Sequence, residues 1–108
     1  DKLNKFNELI KENIRENRAI KFHKEQLNVG SSVLHTICIV GYGIPTKKFI
    51  AMACVNEAKI MLKHTSLTIE EIGYLLNFED DSNFIRFFKT TTGMLLLKYR
   101  EHLVQYSY

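Results

Sequence analysis

The apolar positions of this chain recur with the period of an α-helix almost from end to end, and nowhere with convincing strand alternation. Leu3, Phe6, Ile10 and Ile14 make one stripe, which predicts a first helix from Lys2 to about Glu16. Asn17 and Arg18 interrupt it. A shorter helix follows from Ala19 to Leu27, with Ile20, His23 and Leu27 near one face. Asn28 tolerates the left-handed backbone of a tight turn, and Gly30, Ser31 and Ser32 supply a turn and a helix cap. The third helix then runs to about Val40. Gly41, Gly43 and Pro45 punctuate the chain, and Thr46 to about His64 is the longest helix. Its apolar band is wide enough to require burial on more than one side. Thr68-x-x-Glu71 is a capping box that opens a fifth helix, Ile69 to Leu76. Asn77 turns the chain, Asp80 or Asp81 caps a sixth helix reaching about Thr91, and Gly93 ends it. A seventh helix begins near Leu95 and carries Leu96, Tyr99, Leu103 and Tyr106. The expected fold class is all-α, with seven helices.

The third and sixth helices each have two distinct faces. On the sixth, Phe84, Phe87 and Phe88 form an apolar stripe, while Ser82, Ile85, Arg86 and Lys89 form a second stripe elsewhere. On the third, Leu34, Ile37 and Cys38 are the core stripe, and Ser32, His35, Thr36 and Ile39 the other. These are copies of one unit. With an offset of 49 residues Ile20, Leu27 and Asn28 match Ile69, Leu76 and Asn77. With an offset of 50, Leu34 matches Phe84, Cys38 matches Phe88, Gly43 matches Gly93 and Phe49 matches Tyr99. A short helix, a tight turn and a longer two-faced helix make a helix-turn-helix. The expected architecture is therefore two helix-turn-helix subdomains, residues 1–45 and 65–108, joined by a linker helix over 46–64, a homeodomain-like tandem. Two recognition helices, about 31–40 and 81–91, held about 34 Å apart would enter successive major grooves of B-DNA.

Composition narrows the function more by exclusion than by assertion. The 108 residues suit one compact domain or two small subdomains, and a net charge of +3 permits an anionic partner without demanding one. Cys38 and Cys54 stand among apolar neighbours with no C-x-x-C spacing, which suggests reduced core thiols in a cytoplasmic protein. No apolar run is long enough for a transmembrane helix, and the amphipathic start is not a signal peptide. The chain opens on Asp1 rather than Met, so an excised or processed domain is expected. His23, His35, His64 and His102 fall in no metal-binding spacing, no Gly-rich phosphate loop occurs, and no nucleophile–base pair can be argued from spacing. The carboxylate pairs Glu70–Glu71 and Asp80–Asp81 sit at helix starts, where the helix dipole accounts for them. Neither an enzyme nor a metal or organic cofactor is expected.

The stretch from Glu57 to Arg100, read as EAKIML-(x5)-LTIEEIGYLLNFEDDSNFIRFFKTTTGM-(x4)-YR, resembles the linker helix and second helix-turn-helix of the AraC/XylS family of bacterial transcription regulators. IKFHKEQLNVGSSVLHTI and the phrase G-x-x-T-x-K-x-F resemble the first half of the same domain, so the likeness covers nearly the whole chain. The resemblance implies an AraC-type DNA-binding domain over residues 1–108 that binds a double-stranded DNA operator, with RNA polymerase as a further candidate partner. In the family this domain usually follows a sensing or signalling domain. Departures are visible. Gly73 is the small residue expected where a helix packs on its recognition helix, but the first copy has Lys24 there. Asn77 replaces a usual Gly, Leu96 a usual Pro, and Ile39 a frequent Lys.

The outward stripes supply the candidate contacts. Arg86 can donate two parallel hydrogen bonds to guanine O6 and N7, or merely pair with Glu79 or Asp80. Ile85 can cover a thymine methyl, Ser82 can reach a base edge, and Ser32, His35 and Thr36 hold the corresponding places in the first copy. Asn83, Lys89, Lys47, Lys48 and Thr92 are candidates for phosphate, as is Lys98. Asp81 is expected to cap its helix. The alternative is a degenerate helix-turn-helix that docks another protein and binds DNA weakly or not at all. The weakly charged first copy invites that reading.

Overall fold

A computed structural model describes residues 1–106, with side chains through residue 103. It has seven helices among the described residues: α1 (Lys2–Asn13), α2 (Ile20–Leu27), α3 (Ser31–Tyr42), α4 (Thr46–His64), α5 (Ile69–Leu75), α6 (Asp81–Thr92) and α7 (Leu96–Tyr106). The chain forms two compact units, Asp1–Cys54 and a second from Val55 onward, and α4 contributes to both.

In the first unit Phe6 is wholly buried and anchors the core. Its ring meets His23 edge-on at 5.7 Å and Phe49 of α4 at 5.4 Å. Ile10, Ile14, Leu27, Leu34, Cys38, Ile50 and Cys54 complete that core. Tyr42 stacks on Phe49 at 4.1 Å and ties the end of α3 to α4. Helix α1 ends at Asn13, earlier than the apolar stripe suggests. The amides of Glu16 and Asn17 both turn back onto the Asn13 carbonyl, and Ile14 still reaches the core from the cap position. The Asn17 side chain then accepts from the Ala19 amide, which launches α2.

The second unit repeats this plan with larger side chains. Ile72, Leu76, Phe84, Phe88 and Leu96 are buried, together with Val55, Ala58, Met61 and Leu62 of α4. Tyr99 of α7 meets Phe88 at 5.7 Å, and the Lys59 ammonium lies 5.4 Å from the Tyr99 ring centre. Arg100 donates to the Thr65 carbonyl at 3.4 Å. Tyr106 falls within α7, but its side chain lies outside the described residues.

The backbone carries the duplication at its turns. Asn28 and Asn77 adopt φ of 57° and 65°, and Gly43 and Gly93 adopt φ of 75° and 78°. Asn is the non-glycine residue best able to hold that conformation, which is why it can stand where a β-branched residue would be strained. Both sequence-expected caps of the second copy are present, with one refinement. Thr68 and Glu71 form the reciprocal capping box, at 3.1 and 3.0 Å. Asp80, not Asp81, caps α6, its carboxylate accepting from the Asn83 amide at 2.8 Å. Asp81 is already helical, so its side chain cannot bend back onto that orphan amide. In the first copy Gly30 occupies the cap position of α3 in extended conformation, and Ser31 is the first helical residue. Of the three residues expected to supply the turn and the cap, Gly30 takes the cap position, and it has no side chain to offer.

Candidate nucleic-acid interface

Burial follows the repeat position by position on α3 and α6. Leu34 and Phe84, and Cys38 and Phe88, are wholly buried. Ser32 and Ser82, His35 and Ile85, Thr36 and Arg86, and Ile39 and Lys89 are all exposed. The stripes separated by periodicity alone are therefore the inner and outer faces of α3 and α6. All six candidate base contacts lie on outer faces, three on each helix.

The two outer faces differ in chemistry. On α6, Arg86 donates to the Asn83 side-chain carbonyl at 3.2 Å, not to Glu79 or Asp80. Asn83 is one turn nearer the helix start and is itself fixed through its amide by Asp80. The bond to the Asn83 side chain uses one donor of the Arg86 fork and leaves its others available. Sequence spacing places Asn83 on this face but does not show it as the residue that orients Arg86. On α3 the corresponding outer face carries no Arg, Lys, Asp or Glu. The Thr36 hydroxyl donates to the Ser32 carbonyl at 3.0 Å, back along its own helix.

The phosphate candidates divide. Lys47 and Lys48 are exposed in the first turn of α4, and Lys89 is exposed near the end of α6. Lys98 is exposed and lies 3.8 Å from Glu101. Thr92 is occupied otherwise. Its hydroxyl donates to the Phe88 carbonyl at 2.7 Å and accepts from the Met94 amide at 3.0 Å, closing the end of α6. Those bonds commit its single proton to the helix end.

Lys24 and Gly73 resolve the main irregularity of the repeat. A Cβ on Gly73 would lie 3.0 Å from the Phe84 ring and 3.3 Å from the Phe84 Cβ. Any larger residue there would have to push the Phe84 side chain by a few tenths of an ångström. The first copy has Leu34 at that place, and Lys24 lies half-buried with its amine donating to the Ser31 hydroxyl at 2.9 Å. The lysine packs its stem and keeps its charged end outside, as such side chains do.

Displaced pKa values in the chain have structural causes. Burial lowers that of His23, against a smaller opposing effect from its bond to the Asn17 carbonyl. Burial raises the Cys38 thiol. Bonds from the Thr68 amide and hydroxyl lower the Glu71 carboxyl. Among the described residues no group of three or more His, Cys, Asp or Glu side chains could hold a metal ion. No single described helix is long and apolar enough to cross a membrane.

This architecture, two helix-turn-helix units in one chain with solvent-facing second helices, defines a class of DNA-binding regulatory domain. A helix-turn-helix domain family profile matches residues 24–102, and the chain belongs to this AraC-type family, which is one of transcription regulation and not of enzymes. Solved structures agree in fold. The C-terminal domain of the two-component response regulator yesN from Fusobacterium nucleatum is 26% identical, with a TM-score of 0.76 over 88% of this chain and 93% of that one. A transcriptional regulator from Chromobacterium violaceum, described as AraC-type DNA-binding domain-containing, is 21% identical, with a TM-score of 0.83 over 98% of this chain and 95% of that one. No curated protein matches the chain.

Proposed function

We propose that this domain binds double-stranded DNA sequence-specifically in bacterial transcription regulation, with α3 and α6 in successive major grooves. The observation that carries the reading is the exposed guanidinium of Arg86, braced by Asn83 on the outer face of a recognition helix. Arg86 reads guanine through O6 and N7, with Ser82 and Ile85 beside it; Ser32, His35 and Thr36 read the other half-site. Lys89, Asn83, Lys47 and Lys48 meet phosphates and set the register. In this reading residues 1–45 and 65–108 are the two reading subdomains and 46–64 the linker. The domain works in the cytoplasm, beside a sensing or signalling domain, and RNA polymerase is a further partner.

Replacing Arg86 by Ala tests this. A bidentate Arg–guanine pair supplies about 1–3 kcal/mol of discrimination, so the selected site weakens by roughly 5- to 150-fold while random DNA weakens far less. Equal loss on both would reduce Arg86 to a phosphate contact. His35→Ala costs less than Arg86→Ala, and the reverse order would make α3 the main reader.

One observation favours a second reading. The outer face of α3 is uncharged and partly aliphatic, with Val40 81% exposed. A helix-turn-helix copy used to dock a protein would have such a face. Binding to DNA that is weak at every salt concentration would select that reading.

A further inference from the structure

The outer faces of α3 and α6 differ in a systematic way. Where α6 presents Asn83, Arg86, Lys89 and Thr90, α3 presents Val33, Thr36, Ile39 and Val40. At these four positions the amide, charges and hydroxyl of the second copy give way to aliphatic groups or, at Thr36, to a hydroxyl whose proton is already committed, while Ser32 and Ser82 are alike and His35 stands where the second copy has Ile85. Val33, Ile39 and Val40 are all exposed, at 50%, 42% and 81%. Because the Thr36 hydroxyl donates its proton to the Ser32 carbonyl, Thr36 offers a partner its methyl group and an acceptor oxygen but no donor. His35 is the main polar side chain on this face apart from Ser32.

The floor of the major groove offers one apolar group, the C5-methyl of thymine. A recognition helix with methyl groups outward and no cation cannot make the forked bond to guanine. It gains instead by removing thymine methyls from water. Resting on the sequence-reading function proposed above, we propose that the two copies read by different chemistry: α3 recognises thymine C5-methyls through Thr36 and Ile39, and α6 recognises guanine through Arg86. The electrostatic share of the first half-site is then carried off the helix, by Lys47 and Lys48 at the start of α4, both exposed. His35 supplies the polar contact that fixes which pair the methyls belong to.

The test uses the 108-residue chain and a duplex it selects from a random library. The part of the site whose contribution disappears in Arg86→Ala is assigned to α6, and the remainder to α3. Each thymine of the α3 part is then replaced by uracil, which removes only the C5-methyl. Binding should weaken about fourfold for each contacted methyl, from the usual value of burying one such group. In Thr36→Ser, which keeps the hydroxyl and loses the methyl, and in Ile39→Ala, the corresponding uracil penalty should vanish. Both positions are exposed, and a circular dichroism melt confirms that the variants fold.

A site indifferent to uracil throughout its α3 part, or penalties unchanged in both variants, overturns the thymine assignment and leaves sequence reading by α6 intact. A footprint confined to the α6 part also overturns it and makes the α3 face a protein-docking surface. If the library yields no enriched sequence, the sequence-reading function fails, and the thymine assignment fails with it.

Discussion

Single residues decide how closely the helices of each unit approach. Gly73 and Phe84 are matched, with no slack for a Cβ. Gly73→Ala gains helix propensity of about 1 kcal/mol, but it forces an atom against a buried ring, and overpacking costs about 1–3 kcal/mol. The expected outcome is a net loss of roughly 1 kcal/mol in urea unfolding, recovered in part by adding Phe84→Leu, the residue of the first copy. An unchanged urea midpoint would show that Phe84 moves aside freely.

His23 makes the first unit sensitive to acid. With Nε2 donating to the Asn17 carbonyl at 3.1 Å, Nδ1 is buried and meets no hydrogen-bonding partner among the described residues. Protonating it would place a charge among Phe6 and Phe22, so its folded pKa lies below the ordinary 6.5. The unfolded chain therefore takes up a proton first as pH falls. The stabilisation from neutral His23 is intact above pH 6.5 and is lost as pH falls from there through the lowered folded value. Glu71 acts in the same direction at lower pH, beginning at about its ordinary 4.5. His23→Ile, which installs the residue of the second copy, should flatten the upper part of the profile in urea titrations at several pH values. An unchanged slope there would place the acid sensitivity elsewhere.

At the scale of elements, the two copies differ in how their second helices, α3 and α6, begin. Asp80 caps α6, whereas Gly30 leaves the first amides of α3 without a side-chain acceptor. The Gly30 backbone is extended and a Cβ there would meet nothing within 4 Å. Gly30→Ser should therefore stabilise the chain by about 0.5–1 kcal/mol, by reducing freedom in the unfolded state and supplying a cap. The midpoint of thermal unfolding should rise; a fall would mean that glycine is kept for close approach to a partner.

How much of this was legible depended on the kind of force involved. The stripes of α3 and α6 could be read because one face of each helix must be apolar to be buried, and that leaves a period of 3.6 in the sequence. The capping box at Thr68 and Glu71 could be read because it is local. The end of α1 could not: Ile14 keeps the apolar stripe while the backbone has already turned, since a cap residue can still be buried. The choice between Asp80 and Asp81 needed backbone angles, which two adjacent aspartates do not reveal. The brace of Asn83 on Arg86 was equally hidden, because a polar residue at that spacing is compatible with several partners. Lys24 looked misplaced only while Leu34 and Phe84 were treated as equivalent. Their difference in size leaves space in the first copy for a lysine stem.

At the scale of the whole molecule, a modest net charge of +3 has to support binding to a polyanion. Lys47, Lys48 and Lys89 are exposed, and Arg86 adds a cation on an outer face. Each phosphate neutralised contributes about −0.9 to the slope of log K against log salt, so a small set of contacts predicts a moderate slope. Specific contacts to bases add affinity that is less sensitive to salt. The most direct test is therefore a salt titration of binding to the selected duplex and to a scrambled duplex of equal length. Both should weaken linearly in log salt while the selected duplex stays tighter throughout. Coincident lines for the two duplexes, or negligible DNA binding at every salt concentration, would contradict it.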